Sequence, residues 1–139
     1  METRYWARTV VNILNLSTPA GLLLRLIGGT GMRLGPRGLI VATGYRLPLP
    51  VAPAFTVGNV ILLRDQGEDL EASPRLLLHE ERHATQYVWS LGVVMFPLYL
   101  ICAAVSLALS GDLASYNPYE RLAGLADGGY EFHPLRWLR

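Results

Sequence analysis

The feature that most constrains this chain of 139 residues is a run of twenty-two, residues 88–109, without a single charged side chain. About 20 apolar residues in a helix suffice to cross a bilayer. The run therefore suits a membrane span as readily as a buried helix. Its flanks argue against one straight span. HEERH stands before it at residues 79–83 and NPYER after it at 117–121, and both carry metal-binding side chains. A single span would put them on opposite sides of the membrane. A break near residues 92–97, where Gly92 and Pro97 stand, would instead give two shorter helices and return Glu120 to the neighbourhood of His79 and His83. A buried core helix and a hairpin dipping into a membrane both meet that condition, so membrane-surface association through residues 88–109 stays open.

The length fits one domain, residues 1–139. Hydrophobic residues make up 51% of it, high for a soluble protein. The net charge of +1 hides an asymmetry: residues 1–64 carry seven arginines against Glu2, residues 65–139 five against ten carboxylates. A basic first half could face anionic lipid, an acidic partner, or the acidic half of its own domain. The arginines are scattered and no recognition motif accompanies them, so nucleic-acid binding is not expected. Cys102 is the only cysteine and sits in LYLICAAVSL, which points to a packed, inert thiol in a reducing compartment such as the cytoplasm. The first residues have no clean apolar core or cleavage site and do not read as a signal peptide.

Local signals order the elements. Residues 3–15 suit a short amphipathic helix. STPAGLLLRLIGG suits another, opened at Ser17 or Thr18 with Pro19 first and Gly28-Gly29 closing it. GGTGMRLG lacks the ending and spacing of a phosphate loop and reads as turns between strands. GLIVATGYRL is β-prone, and FTVGNVILLRD is the best single strand, about residues 55–64. Ser73 as cap with Pro74 at the first position starts a helix running to about Gly92. A second apolar helix follows from about Phe96 to Leu109. Asn117 and Pro118 open a third, with a stop at Gly128-Gly129. Strands placed between groups of helices predict an α+β fold, mostly helical with a short sheet.

On a helix, His79 and His83 project from one face, one turn apart, where two imidazoles can ligate one zinc ion. Glu80, offset by about 100°, reaches the space beside the metal without binding it and can act as a base toward a water there. Gln86 falls on the same face, a turn further on. A catalytic zinc needs a third protein ligand and an open position. Asp112, Glu120, Asp127, Glu131 and His133 are the downstream candidates. Glu120 has the best setting, but Asn117 and Glu120 also have the spacing of a capping box, in which the carboxylate only satisfies backbone N–H groups. The spacing does not choose between these roles.

HEERHATQY, the apolar stretch and YNPYERLAG together resemble the small gluzincin-type metallopeptidase-like families known as minigluzincins. Their pattern is H-E-x-x-H-x-x-Q, a helical segment, then N-P-F-E-R-x-A. The match falls on His79, Glu80, His83 and Gln86, then Asn117, Pro118, Glu120, Arg121 and Ala123, with Tyr119 in place of the phenylalanine. The resemblance covers roughly residues 55–130. It implies a small zincin-like domain with HExxH on a central helix, Glu120 as third zinc ligand and Glu80 as catalytic base. It also implies supporting roles for Gln86 and Asn117, and an active-site strand in TVGNVIL along which an extended peptide lies.

The expected function is thus zinc-dependent hydrolysis of a peptide or protein substrate. No electrophile for the oxyanion is marked; Tyr130 and Tyr116 are the candidates, and packing or surface roles suit either. A non-catalytic zinc-stabilised or membrane-associated interaction module is the alternative, and a small membrane protein with a coincidental HEERH a third. Oligomeric state is not legible.

Overall fold

The computed structural model describes residues 1–64 and 70–138. Helices α1 (Thr3–Leu14) and α2 (Ser17–Gly28) come first, then strands β1 (Gly31–Leu34), β2 (Ile40–Thr43), β3 (Ala54–Val57) and β4 (Val60–Leu63). Helices α3 (Pro74–Trp89), α4 (Met95–Ser110) and α5 (Pro118–Ala123) complete the α+β arrangement. The four strands form one sheet in the order β1-β2-β4-β3; β2 and β4 run parallel and the other pairs antiparallel.

Alternation along the strands sends side chains to two faces. Val41, Ile61 and Leu63 meet Leu77 and Ala84 of α3 on one face. Ala42, Val60 and Leu62 meet Tyr87, Met95 and residues of α2 on the other. The stretch expected as one strand is a hairpin: β3 and β4 are joined by Gly58 and Asn59 alone, with Val57 opposite Val60. Gly58 has φ +64°, which glycine tolerates, and a Cβ there would sit 2.5 Å from the Ser17 carbonyl carbon. GGTGMRLG is not only turns, since Gly31–Leu34 forms the edge strand β1.

Helix α2 starts at Ser17, so Pro19 is its third residue rather than its first. The chain reverses there because Asn15 Oδ1 accepts from the Ser17 N–H at 3.0 Å and from its hydroxyl at 2.6 Å. Helix α3 opens at Pro74 as expected, but the Ser73 side chain makes no capping hydrogen bond, and the helix ends at Trp89. The apolar run then breaks where the sequence placed the break: Leu91 and Gly92 take left-handed φ values of 63° and 66°, and a 3-10 turn at Gly92–Val94 leads into α4. An uninterrupted span over 88–109 is therefore excluded. Cys102, expected to be packed, is only half-buried. Helix α5 stops at Gly124, well short of Gly128. The basic half does meet the acidic half at one place: Arg8 Nη1 and Arg37 Nε lie 3.0 and 2.8 Å from Glu81 Oε2.

Candidate metal centre

Helix α3 packs Leu77 and Ala84 into the core, and this rotation turns His79, Glu80 and His83 inward. The two imidazoles meet edge to face with centroids 4.7 Å apart. Their Nε2 atoms are 3.1 Å from each other. The other nitrogen of each ring has its own partner. His79 Nδ1 is 2.8 Å from the Gly124 carbonyl oxygen, and His83 Nδ1 is 2.8 Å from Gln86 Oε1. Gln86 Nε2 donates to the Tyr119 carbonyl at 2.9 Å, which fixes the amide with its oxygen toward the ring. Both partners can only accept, so each Nδ1 carries the hydrogen and each Nε2 of a neutral ring presents a bare lone pair.

Glu120 supplies the third group. Its Oε1 lies 3.3 Å from His79 Nε2 and in direct contact with His83 Nε2. All three residues are buried, and their ligand atoms lie within 4.8 Å of one another. Converging lone pairs and a carboxylate, all shielded from water, repel unless a positive charge lies between them. The group could therefore hold a metal ion. A tetrahedral ion with bonds of about 2.0–2.1 Å sets its ligand atoms about 3.3 Å apart; two of the three pairs are at 3.1 and 3.3 Å, while His83 Nε2 and Glu120 Oε1 are in direct contact and would have to separate to admit the ion.

The electrostatics agree. Burial alone would lower His83, but the hydrogen bond and charge of Glu120 push it up to about 9, so that a proton takes the cation's place. Burial would raise Glu120, yet hydrogen bonds from His79 and His83 hold it well below the usual carboxylate range.

Glu80 belongs to the site without belonging to the ligand set. Thr56 Oγ1, from strand β3, donates to its Oε2 at 2.7 Å. Burial raises the Glu80 carboxyl above its ordinary value, against the opposing pull of His83, His79 and Thr56. Glu81 points away to Arg8 and Arg37. A small cavity of about 20 Å³, room for roughly one water, lies beside His83 and Glu120 between β3, α3 and α4, lined by Phe55, Thr56, Glu80, Tyr87, Phe96, Tyr99 and Tyr130, among others.

The remaining sequence candidates divide cleanly. Asn117 caps α5, its Oδ1 accepting from the Tyr119 N–H at 3.1 Å, while Glu120 faces the histidines and leaves the capping box open. Tyr130 lines the cavity with its ring 5.9 Å from that of His79. Burial and the Glu120 charge raise its hydroxyl, which stays protonated. Tyr116 is not among the cavity residues; its ring packs 5.7 Å from that of Phe132 and under the Arg121 guanidinium. Asp112 pairs with His133 at 2.5 Å, Asp127 with Arg75 and Arg82, and Glu131 is exposed, so none of these joins the centre.

Sequence reasoning missed Thr56, Tyr99 and Gly128. A Cβ on Gly128 would sit 2.5 Å from His79 Cε1, so only glycine lets the carboxyl-terminal segment close over that ring. No local pattern marks these three, because each reaches the site through tertiary packing. Comparison of the chain with family models, with characterised proteins and with solved structures returned no match.

Proposed function

We propose that this chain is a zinc-dependent peptide-bond hydrolase built on a zincin-like arrangement. The observation that carries the reading is Glu80: a fourth buried acidic or imidazole group, held by Thr56 beside three ligands it does not join. A structural metal site has no use for such a carboxylate. Zinc, when bound, supplies Lewis acidity toward a carbonyl oxygen and lowers the pKa of a water. The chain's own residues do the rest. His79, His83 and Glu120 hold the ion, with Gly124 and Gln86 fixing the ring tautomers. Glu80 keeps Oε2 on the Thr56 hydroxyl and Oε1 free to take a proton from water. Its raised pKa suits it to pass that proton on to the departing amide nitrogen. Hydroxide adds to the carbonyl carbon, the C–N bond breaks, and the nitrogen leaves as a neutral amine. Tyr130 and Tyr99, both protonated at neutral pH, line the cavity and are the hydroxyls that could donate to a developing oxyanion.

Strand β3 is an edge of the sheet, and Ala54, Phe55 and Thr56 line the cavity. An extended peptide would add to that edge by main-chain hydrogen bonds. The rings of Phe55, Tyr87, Phe96 and Tyr99 close around the cavity, so a substrate side chain enters only if they move apart. A metal-stabilised module without activity is the competing reading. The closeness of Gly128 and Tyr130 to His79, which narrows the approach, favours it. The deciding experiment is a peptide-library assay on the zinc-loaded chain with Glu80→Gln as control. Cleavage by the wild type, lost in a variant that still binds zinc, supports hydrolysis. No cleavage by a zinc-loaded wild type leaves the module.

A further inference from the structure

Three helices of this protein turn many large apolar side chains outward, against the preference of a protein in water. Helix α1 buries Arg8 and Asn12 and exposes Trp6, Val10, Ile13 and Leu14, which follow one another at the spacing of a single stripe. Helix α2 buries Ser17, Thr18, Gly21 and Gly28, packs Leu22 and Leu24 against the core, and exposes Leu23, Leu26 and Ile27. Helix α4 buries Met95 at its start, turns Ala103, Ser106 and Ser110 inward along the rest, and turns Leu98, Ile101 and Val105 outward. With its lead-in turn, α4 is long and apolar enough to cross a membrane, and only 22% of it is buried within the fold. In water the large apolar stripe of a surface helix faces the core. In hydrocarbon the preference reverses: small residues let helices close on one another and large ones meet lipid.

The α1–α2 corner and the start of α4 meet. The Val93 N–H donates to the Asn15 carbonyl at 3.3 Å, so the α1–α2 corner sits against the start of α4. Around that junction Leu14, Leu16, Trp89 and Leu91 are 59–76% exposed. The stretches that meet there, residues 9–24 and 84–111, contain no charged side chain. Arg4 and Arg25 lie at the far ends of the bent α1–α2 pair, whose axes turn by 70° at the corner.

We propose that α1, its corner with α2, and α4 insert this uncharged surface into a lipid bilayer containing anionic headgroups, with Arg4 and Arg25 bounding it. A protein partner would leave a polar rim around a smaller apolar centre; here the uncharged surface spreads over three helices. The proposal stands independently of the metal site.

The test is flotation of the full-length chain with vesicles of phosphatidylcholine and phosphatidylglycerol, followed by washes in high salt and in alkaline carbonate. The chain is expected to float and to survive both washes. The double substitution Leu14→Glu and Ile101→Glu is expected to lower the floated fraction by at least about tenfold. Circular dichroism should show unchanged helix content, because both positions are exposed. The wild type decides the matter whatever the variant does. A chain that stays at the bottom of the gradient without detergent, as a monomer or as a dimer that covers the face with a second copy, overturns the proposal. So does release by high salt alone, which would mean attraction by charge without insertion.

Discussion

Replacing Gln86 by leucine should weaken metal binding without touching a ligand. Gln86 is 3% exposed, so no water can take over its two contacts. Its Oε1 accepts from His83 Nδ1 at 2.8 Å and its Nε2 donates to the Tyr119 carbonyl at 2.9 Å. The first contact fixes which nitrogen of His83 is bare; the second ties α3 to the helix that carries Glu120. Outer partners of metal-binding histidines contribute about 10–100-fold in metal affinity, or about 1.4–2.7 kcal/mol. Gln86→Leu should lose that much, whereas Gln86→Glu, which keeps an acceptor for Nδ1–H, should recover most of it. Both variants lose the donor to Tyr119, so the difference between them isolates the His83 contact. The assay is competition for zinc against a chromophoric chelator on the metal-free chain, with thermal unfolding of the same samples as a control. Equal affinities for the leucine and glutamate variants would refute the tautomer reasoning.

Three other outcomes follow from the geometry. In the metal-free chain His83 is raised from 6.5 to about 9, so its pairing with Glu120 stabilises fully below pH 6.5 and is lost as pH rises through about 9. The depressed Glu120 adds stability that is present above about 4.5 and lost only as pH falls toward its lowered value. Urea denaturation across pH should show this pair at full strength between about 4.5 and 6.5, and zinc affinity should climb by up to about tenfold per pH unit toward pH 9 as the His83 proton leaves. Gly128→Ala drives a methyl group into the His79 ring and should cost about 1–3 kcal/mol, read as loss of zinc affinity in the same competition assay; unchanged affinity would mean that the segment yields freely. Arg8→Leu leaves the buried Glu81 with Arg37 alone and should destabilise the fold toward the lower end of about 3–5 kcal/mol, measured by urea denaturation, with Glu81→Leu in the same chain relieving much of the loss.

What the sequence made legible was local. Pro74 and Pro118 marked two helix starts because a proline at the first helical position acts on the residues beside it, and Asn117 caps the second. The break near Gly92 followed from requiring 79, 83 and 120 to share a site. The hairpin of β3 and β4 was hidden because valines flank a two-residue turn, and Val57-Gly58-Asn59-Val60 reads as one strand with a glycine in it. The end of α5 was misplaced because Gly124 stops the helix where its carbonyl can meet His79, a contact 45 residues away in sequence. Thr56 on Glu80 and Gly128 on His79 are of the same non-local kind. The amphipathic period of α1 was visible, but period alone does not say which stripe faces in. There the structure reverses the usual expectation, with Arg8 and Asn12 buried.

The most direct test of the account is metal content per chain after gentle purification, for the wild type and for His79→Ala and Glu120→Ala. The three-ligand centre predicts about one zinc per wild-type chain and its loss or marked weakening in both variants. A wild type that takes up no metal even when zinc is supplied, or a Glu120→Ala variant that binds as tightly as the wild type, would contradict it.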